Sequence, residues 1–415
     1  MIRYLVGILS SAALAVPALA SGLPQQSPSD DRAQRYYVPP MTGQALNATE
    51  ADARLAILTQ FAPAAERNND QLDWQHWDKA LGWMVIPMGP SLRQGAARVD
   101  PPTGTRRIYG HESRFRLEGN RVAFSYLTPD IIADLGAYRA DLEEIGGRLD
   151  IASLPRNEQL AFWLNLHNVA VIEALARAYP LASPQHRTFG PNDAALDDAK
   201  LVTIAGVNLS PRDIRERIVY PNWRDPKVIY GFWRGAIGGP SIQRIAFDGE
   251  NVDQLLALAG EEFVNSLRGV EAWGGALRVS PIYQEATQFY FPDDAALRGH
   301  LSKFANEEVK DLLGRYDRIA YNRFASDLAD LDRGETDPNL LPKEVIDCKY
   351  GGCIPGAALV GGPPSISVNP AVQRLMRERV EKLARARRKG VRIGTVLVGD
   401  GSGEGPAGVA DREVE

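Results

Sequence analysis

The sequence predicts an α+β fold, with helices and antiparallel hairpins packed around one buried central helix at residues 155–180. Three observations predict it. The stretch PRNEQLAFWLNLHNVAVIEALARAYP, from Pro155 to Pro180, is free of turn residues and apolar on every side in its middle, as a helix enclosed by the rest of the protein must be. Two stretches, RFRLEGNRVAFSYL and LVTIAGVNL, fold back on Glu118-Gly119-Asn120 and Ala205-Gly206 as hairpins. The other periodic segments are helical stripes that never alternate with strands in regular βαβ units, which separates the chain from the parallel-sheet classes.

Taken in order, residues 1–20 read as a signal peptide. Arg3 supplies the positive end, Leu5 to Ala15 the apolar run, and Ala18-Leu19-Ala20 the cleavage pattern before Ser21. That run is short for a membrane span and no later stretch reaches the length of one. The expectation is therefore an exported protein, periplasmic or extracellular, with no transmembrane segment. Residues 21–48, rich in Pro, Gln and Ser, read as a flexible leader, and Asn47-Ala48-Thr49 fits a glycosylation sequon.

The main globular domain is expected over 49–332. Thr49-x-x-Asp52 caps a short helix, ARLAILTQF. Trp74, Trp77 and Trp83 mark an aromatic edge of the core. Thr128-Pro129-Asp130 opens a helix with its apolar stripe at Ile131, Leu135, Tyr138, Leu142 and Ile145. Ser210-Pro211-Arg212-Asp213 opens another by cap, proline and acidic third position. Asp225 to Trp233 reads as an apolar strand leading into the glycine-rich loop GAIGGPSIQ. Asn251-x-x-Gln254 then caps a helix carrying Val252, Leu255, Leu256, Ala259 and Phe263 inward. A strand at Leu277–Val279, helices from Pro281 and Ala295, and a strand at Ile319–Tyr321 complete the domain.

Residues 333–415 are expected to form a C-terminal extension. It holds a linker, a two-cysteine loop, a helix over 372–390 and a flexible glycine-containing tail. The basic second half of that helix suits the negative end of its dipole. It reads as a solvated face with Leu375 and Leu383 packed inward, or as a surface for a partner.

Composition bounds the function. The chain has 415 residues, 44% hydrophobic and 24% charged, with a net charge of −5. That is ordinary globular composition, and it favours no nucleic-acid partner. Cys348 and Cys353, the only cysteines, read as a small disulfide loop in an exported protein. A zinc site would need two further ligands that the local sequence lacks, so neither a metal nor another cofactor is expected.

Within the central helix, Asn165 and Asn168 lie three apart and share a face. A buried amide without partners costs about 1–3 kcal/mol, so both must be answered from elsewhere in the fold. Either they tie loops to the helix, or one of them orients a reactive group.

The motif NEQLAFWLNLHN, with Phe162, Trp163, Asn165 and Asn168 in register, resembles the helix of the "domain of unknown function 547" family. GVNLSPRDIRERIV resembles that family's hairpin and following helix. DPKVIYGFWRGAIGGP resembles its Asp-Pro-Arg-Ile-His segment leading to a Ser-Cys-Pro turn. The resemblance spans residues 74–330. It implies a rearranged papain-like fold and a thiol mechanism in which a cysteine attacks an acyl carbon, a histidine handles the proton and an asparagine fixes the imidazole.

The chain departs from this pattern at the reacting positions. Ile229 stands where the family has its histidine, Gly239 stands where it has its cysteine, and the last motif reads Phe324-Ala325-Ser326-Asp327-Leu328-Ala329. The expectation is a protein without thiol catalysis at the family position. Its remaining cleft would bind a peptide, a small anion or an envelope protein. The ligand-binding residues expected there are Trp163, Asn165, Asn168, Arg234, Gly238, Gly239 and Arg244, with Arg234 and the glycine-loop amides converging on a carboxylate or phosphate. The alternatives are a thiol-dependent hydrolase or transferase acting on amide bonds, with Cys353, His167 or His111 displaced into the roles, and an interaction module built on the basic C-terminal helix. His76, His186 and His300 show no metal spacing and read as structural or exposed.

Overall fold

The central helix organises the molecule. The structure, a computed structural model, describes residues 58–98, 109–335 and 369–391. The signal peptide, the leader, the sequon, most of the helix expected at 53–61, the two cysteines and the tail all lie outside those residues. Mixed helices and small sheets make the chain an α+β protein.

Helix α1 (Gln75–Met84) runs straight into β1 (Val85–Ile86), which pairs antiparallel with β2 (Arg121–Val122). Helix α2 (Pro129–Arg148) begins as its sequence requires, with Thr128 accepting from the Ile131 amide and Pro129 in the first turn. It packs on α3 (Arg156–Ala178), the central helix, whose residues from Phe162 to Ile172 are buried without interruption. Hairpin β3 (Val202–Ile204) and β4 (Val207–Leu209) turns at Ala205-Gly206, both with positive φ, and lies against α2. Ser210 and Asp213 then exchange capping bonds, and the chain enters a wide π-helical run, Asp213–Val219, continued by a last turn at Tyr220–Asn222.

Helix α4 (Val252–Val264) leads to a three-stranded sheet. Its β5 (Val270–Trp273) and β6 (Ala276–Val279) are antiparallel, and β7 (Ile319–Tyr321) adds parallel to β6. Helices α5 (Pro281–Tyr290), α6 (Asp294–Phe304) and α7 (Glu307–Arg315) bridge β6 and β7. Helix α8 (Pro370–Arg388) docks its apolar side on Met88, Leu117 and Leu331 through Val372 and Leu375. Lys382 of α8 donates to the carbonyls of Met88, Gly89 and Leu117. The helix of the extension is thus part of the packed body.

Two expected elements differ. The stretch around Glu118-Gly119-Asn120 is not a hairpin: residues 114–117 form a turn and only Arg121–Val122 is a strand, paired with β1. The fully buried Arg121 guanidinium explains this, because it takes up the carbonyls of Phe115, Arg116 and Asn120. The apolar run after Asp225 is a 3₁₀ helix, Pro226–Gly231, rather than a strand. Asp225 caps it through the Lys227 amide, and Pro226 fits the first turn but offers no N–H to a ladder. A short apolar run buried on all sides is equally at home in a strand or a helical turn.

Candidate functional site

The central helix places its two asparagines against two neighbouring stretches. Asn165 accepts from the Phe247 amide at 3.1 Å and donates to the Phe247 carbonyl at 2.7 Å, satisfying both backbone groups of that residue. Asn168 accepts from the Trp233 amide at 3.0 Å and donates to the Gly231 carbonyl at 2.9 Å. Both amides therefore tie loops to the helix. Asn168 also orients an imidazole, that of its neighbour His167, through an Nδ1 contact of 3.1 Å. His167 Nε2 in turn accepts from Arg215 at 3.3 Å, which leaves the proton on Nδ1. Burial and the Arg215 and Arg234 charges hold its pKa well below the usual histidine value. It is a neutral, enclosed ring and not an available base.

Arg234 is not open to an anion. Arg215 and Arg234 alternate with Asp197 and Glu285 in a closed ring of four charges. Arg215 meets Asp197 at 2.9 and 3.1 Å and Glu285 at 3.2 Å, while Arg234 meets Asp197 at 3.2 Å and Glu285 at 2.6 Å. The Arg215 side chain is fully buried and that of Arg234 is 8% exposed, whereas Asp197 at 32% forms the outer edge. Partial burial works against ionisation of Asp197 and Glu285. The two guanidiniums outweigh it and hold both carboxyls below the usual carboxylate range.

The glycine-rich loop beside this ring is equally closed. Gly238 donates to the Ala325 carbonyl at 2.8 Å, Ile237 to Asp327 at 2.9 Å, and Ala329 back to Gly235 at 2.9 Å. The loop and the last family motif are thus stitched together. Arg268 donates to the Gly239 carbonyl at 2.9 Å from the other side. A side chain at Gly238 would meet the Ala325 backbone nitrogen at 2.6 Å, and one at Gly239 would lie 3.2 Å from the Arg234 stem. Ile229 is 1% exposed and packed in the core.

The other expected ligand residues separate. Trp163 is 1% exposed and lies edge-on to Phe61 and Phe162, in the core. Arg244 is exposed and donates to the Gly82 carbonyl at the end of α1. His76 and His186 are exposed, and His300 is buried against the Tyr230 hydroxyl at 2.8 Å. Among the described residues, no group of three or more His, Cys, Asp or Glu side chains is placed to hold a metal, and no helix is long and apolar enough to cross a membrane.

Two clusters escaped the sequence reading. The first is the charge ring, whose signal was Arg215 set among Ile214, Ile218 and Val219: a cation on an apolar helix face needs buried partners. The second joins Asp330, Asp332, Tyr179 and His111. Asp330 meets His111 Nε2 at 2.8 Å, and Tyr179 donates to Asp332 at 2.5 Å. Both aspartates are fully buried. Burial raises Asp330 to about 6, and burial with the Asp330 charge beside it raises Asp332 to about 7. Burial and the Arg121 charge hold His111 down at about 3, so it is neutral. The sequence signal was two acids set among Leu328, Ala329 and Leu331, since carboxylates in an apolar run need buried partners.

Outside the closed loop, a groove of about 320 Å³ runs along α3. Ala170, Ala174 and Ala178 floor it, and Arg139, Arg177, Lys200 and Glu173 line it. Arg177 spends its Nε on Glu173 while its side chain remains 56% exposed. A second groove of about 510 Å³ at the start of α3 is lined chiefly by Glu66, Glu158 and Glu250 with amide side chains.

Fold and motifs together define an α+β protein built around a central asparagine-bearing helix. Residues 151–264 match the family described as "Protein of unknown function, DUF547", and this segment of the chain belongs to it. No curated protein and no solved structure matches the chain.

Proposed function

We propose that the protein is an exported, non-catalytic member of its family that binds a carboxylate- or phosphate-bearing ligand, a small anion or a peptide, in the groove along α3. The observation that carries this reading is Arg177, which stands over the alanine floor with its side chain 56% exposed and one carboxylate partner, Glu173, while the other cations of the lining are already paired, Arg139 with Glu143 and Glu173 and Lys200 with Asp213. The non-catalytic part rests on Gly239 and Ile229, which offer neither a nucleophile nor a proton carrier where family members would hold them. The binding place moves from the cleft to the groove because Arg234 already has two carboxylate partners.

Calorimetric titration at low salt tests it, with inorganic phosphate and with acetyl-dialanine as free acid and as amide. Binding of phosphate or the acid but not the amide, lost in Arg177→Ala, supports the reading. No heat with any probe, or equal binding by the variant, removes it. A second reading, a thiol-dependent hydrolase or transferase, requires Cys348 or Cys353 beside a base, yet Nε2 of His111 faces Asp330 and Nε2 of His167 faces Arg215. Titration of the native protein with a thiol reagent separates the two: an oxidised cysteine pair retires the enzyme, and a reactive thiol revives it.

A further inference from the structure

The segment 370–389 carries eight cations against two carboxylates, a balance of +6 inside a chain whose net charge is −5. Its cations divide into two sets. Arg374, Arg379 and Lys382 turn to the body and donate to the backbone carbonyls of Tyr109, Pro87 and Leu117 respectively. Arg377, Arg385, Arg387, Arg388 and Lys389 are exposed, and no carboxylate within 4 Å answers any of them among the described residues. The apolar side of α8 is already spent on Val372 and Leu375 against the body, so this face offers charge rather than a hydrophobic seam.

The surface continues past the helix. Arg379 lies close enough to Arg244 for the two charges to oppose each other, and Arg244 reaches the carbonyl of Gly82, next to Trp83. Trp83 is 53% exposed and Val380 is 61% exposed, both large apolar groups beside cations. We propose that the exposed face of α8, together with Arg244 and Trp83, docks on an anionic phospholipid bilayer. A body of opposite sign would be repelled by such a surface, so attachment through α8 also fixes the orientation. Exposed arginines and lysines pair with lipid phosphates, and an indole and a valine at headgroup depth suit the interface between water and acyl chains. Since the apolar side of α8 is not available for insertion, the attachment is peripheral, reversible and sensitive to salt.

Vesicle co-sedimentation of the protein purified after export tests this. The vesicles are phosphatidylcholine alone, or with one third phosphatidylglycerol. Partition is expected only into the anionic vesicles and should fall steeply between 50 and 300 mM salt, values chosen to span roughly a twofold change in screening length. At about fivefold per cation removed, the triple variant Arg385→Glu, Arg387→Glu, Arg388→Glu should lose at least about a hundredfold in partition, since each change also adds a repelling carboxylate. The control triple Arg148→Glu, Lys310→Glu, Arg315→Glu makes the same change in net charge on exposed sites elsewhere and should lose far less. Trp83→Ala should weaken partition about tenfold or less and abolish any blue shift of tryptophan emission on binding. Equal partition into neutral vesicles, no partition at all, or equal losses in both triples would overturn the proposal. So would retention by a soluble polyanion such as heparin without vesicle binding.

Discussion

Asp332→Asn should make the protein more stable at pH 8 and leave it nearly unchanged at pH 4.5. In the native state Asp330 and Asp332 share a buried site with Tyr179, and the charges facing it are few: Arg121 and Arg333 near Asp330, and the neutral His111. Folded pKa values near 6 and 7 exceed the unfolded value of 3.8. The folded state therefore binds more protons than the unfolded chain between about pH 4 and 7, and stability falls as pH rises through that window. A shift of about three units for Asp332 corresponds to at most about 4 kcal/mol, and sharing between the two carboxyls makes about 2 kcal/mol the working figure.

An asparagine cannot ionise, and its amide N–H can donate to Asp330 as the shared proton does. Its oxygen can still accept from Tyr179. The buried histidines complicate a pH profile of the native protein alone. His111 and His300, held near 3 and 4, add stability as pH rises to about 6.5, opposite in sign to the aspartates. The diagnostic quantity is therefore the difference between variant and native protein, measured by urea unfolding at half-unit steps from pH 4.5 to 8. A difference that grows by about 2 kcal/mol between pH 5 and 8 confirms the reasoning. A flat difference, or one that shrinks with pH, refutes it.

Three further outcomes follow from the same packing. Gly238→Ala should destabilise by about 1–3 kcal/mol, because the new methyl meets backbone at Ala325, whereas Gly239→Ala should stay within about 1 kcal/mol, because the Arg234 stem can yield; thermal unfolding of the pair checks this. Arg215→Met should cost up to about 3–5 kcal/mol at pH 7 by leaving Asp197 and Glu285 to share the one guanidinium of Arg234, and the deficit should shrink below about pH 4 as those carboxyls become protonated. Asn165→Ala should cost about 2–4 kcal/mol, since it leaves the buried Phe247 amide and carbonyl unpaired, and hydrogen exchange at residues 245–249 should quicken.

The central helix was legible because its signal is local: prolines at both ends and an apolar surface all round. The caps at Thr128 and Ser210 and the turn at Ala205-Gly206 were legible for the same reason. The 114–122 stretch was misread because its alternation matches a hairpin, while the deciding event is long-range burial of Arg121 against its own carbonyls. Ile229 illustrates a second limit. Its apolar run fixes burial but not geometry, so the 3₁₀ helix was invisible beside the strand. The sequence also showed that Asn165 and Asn168 need buried partners, which Phe247, Gly231 and Trp233 supply. It did not reveal that Arg234 was already partnered, since Asp197 and Glu285 lie 37 and 51 residues away along the chain.

That partnering decides where a ligand can go. An anion entering at Arg234 would have to displace Glu285 or Asp197, exchanging one carboxylate for another with no gain in charge pairing. It would also lose its own translational freedom, and the displaced carboxylate would give up its bond to Arg234. The loop cannot yield instead, because Gly238 is bonded to Ala325 and Gly239 is held by Arg268. The groove along α3 presents the opposite case. Arg177 there keeps over half of its side chain in water, so a carboxylate can add to it without breaking an existing pair. The same helix thus carries a sealed polar interior on one side and an open charged edge on the other. Only the second can exchange a ligand without opening the fold.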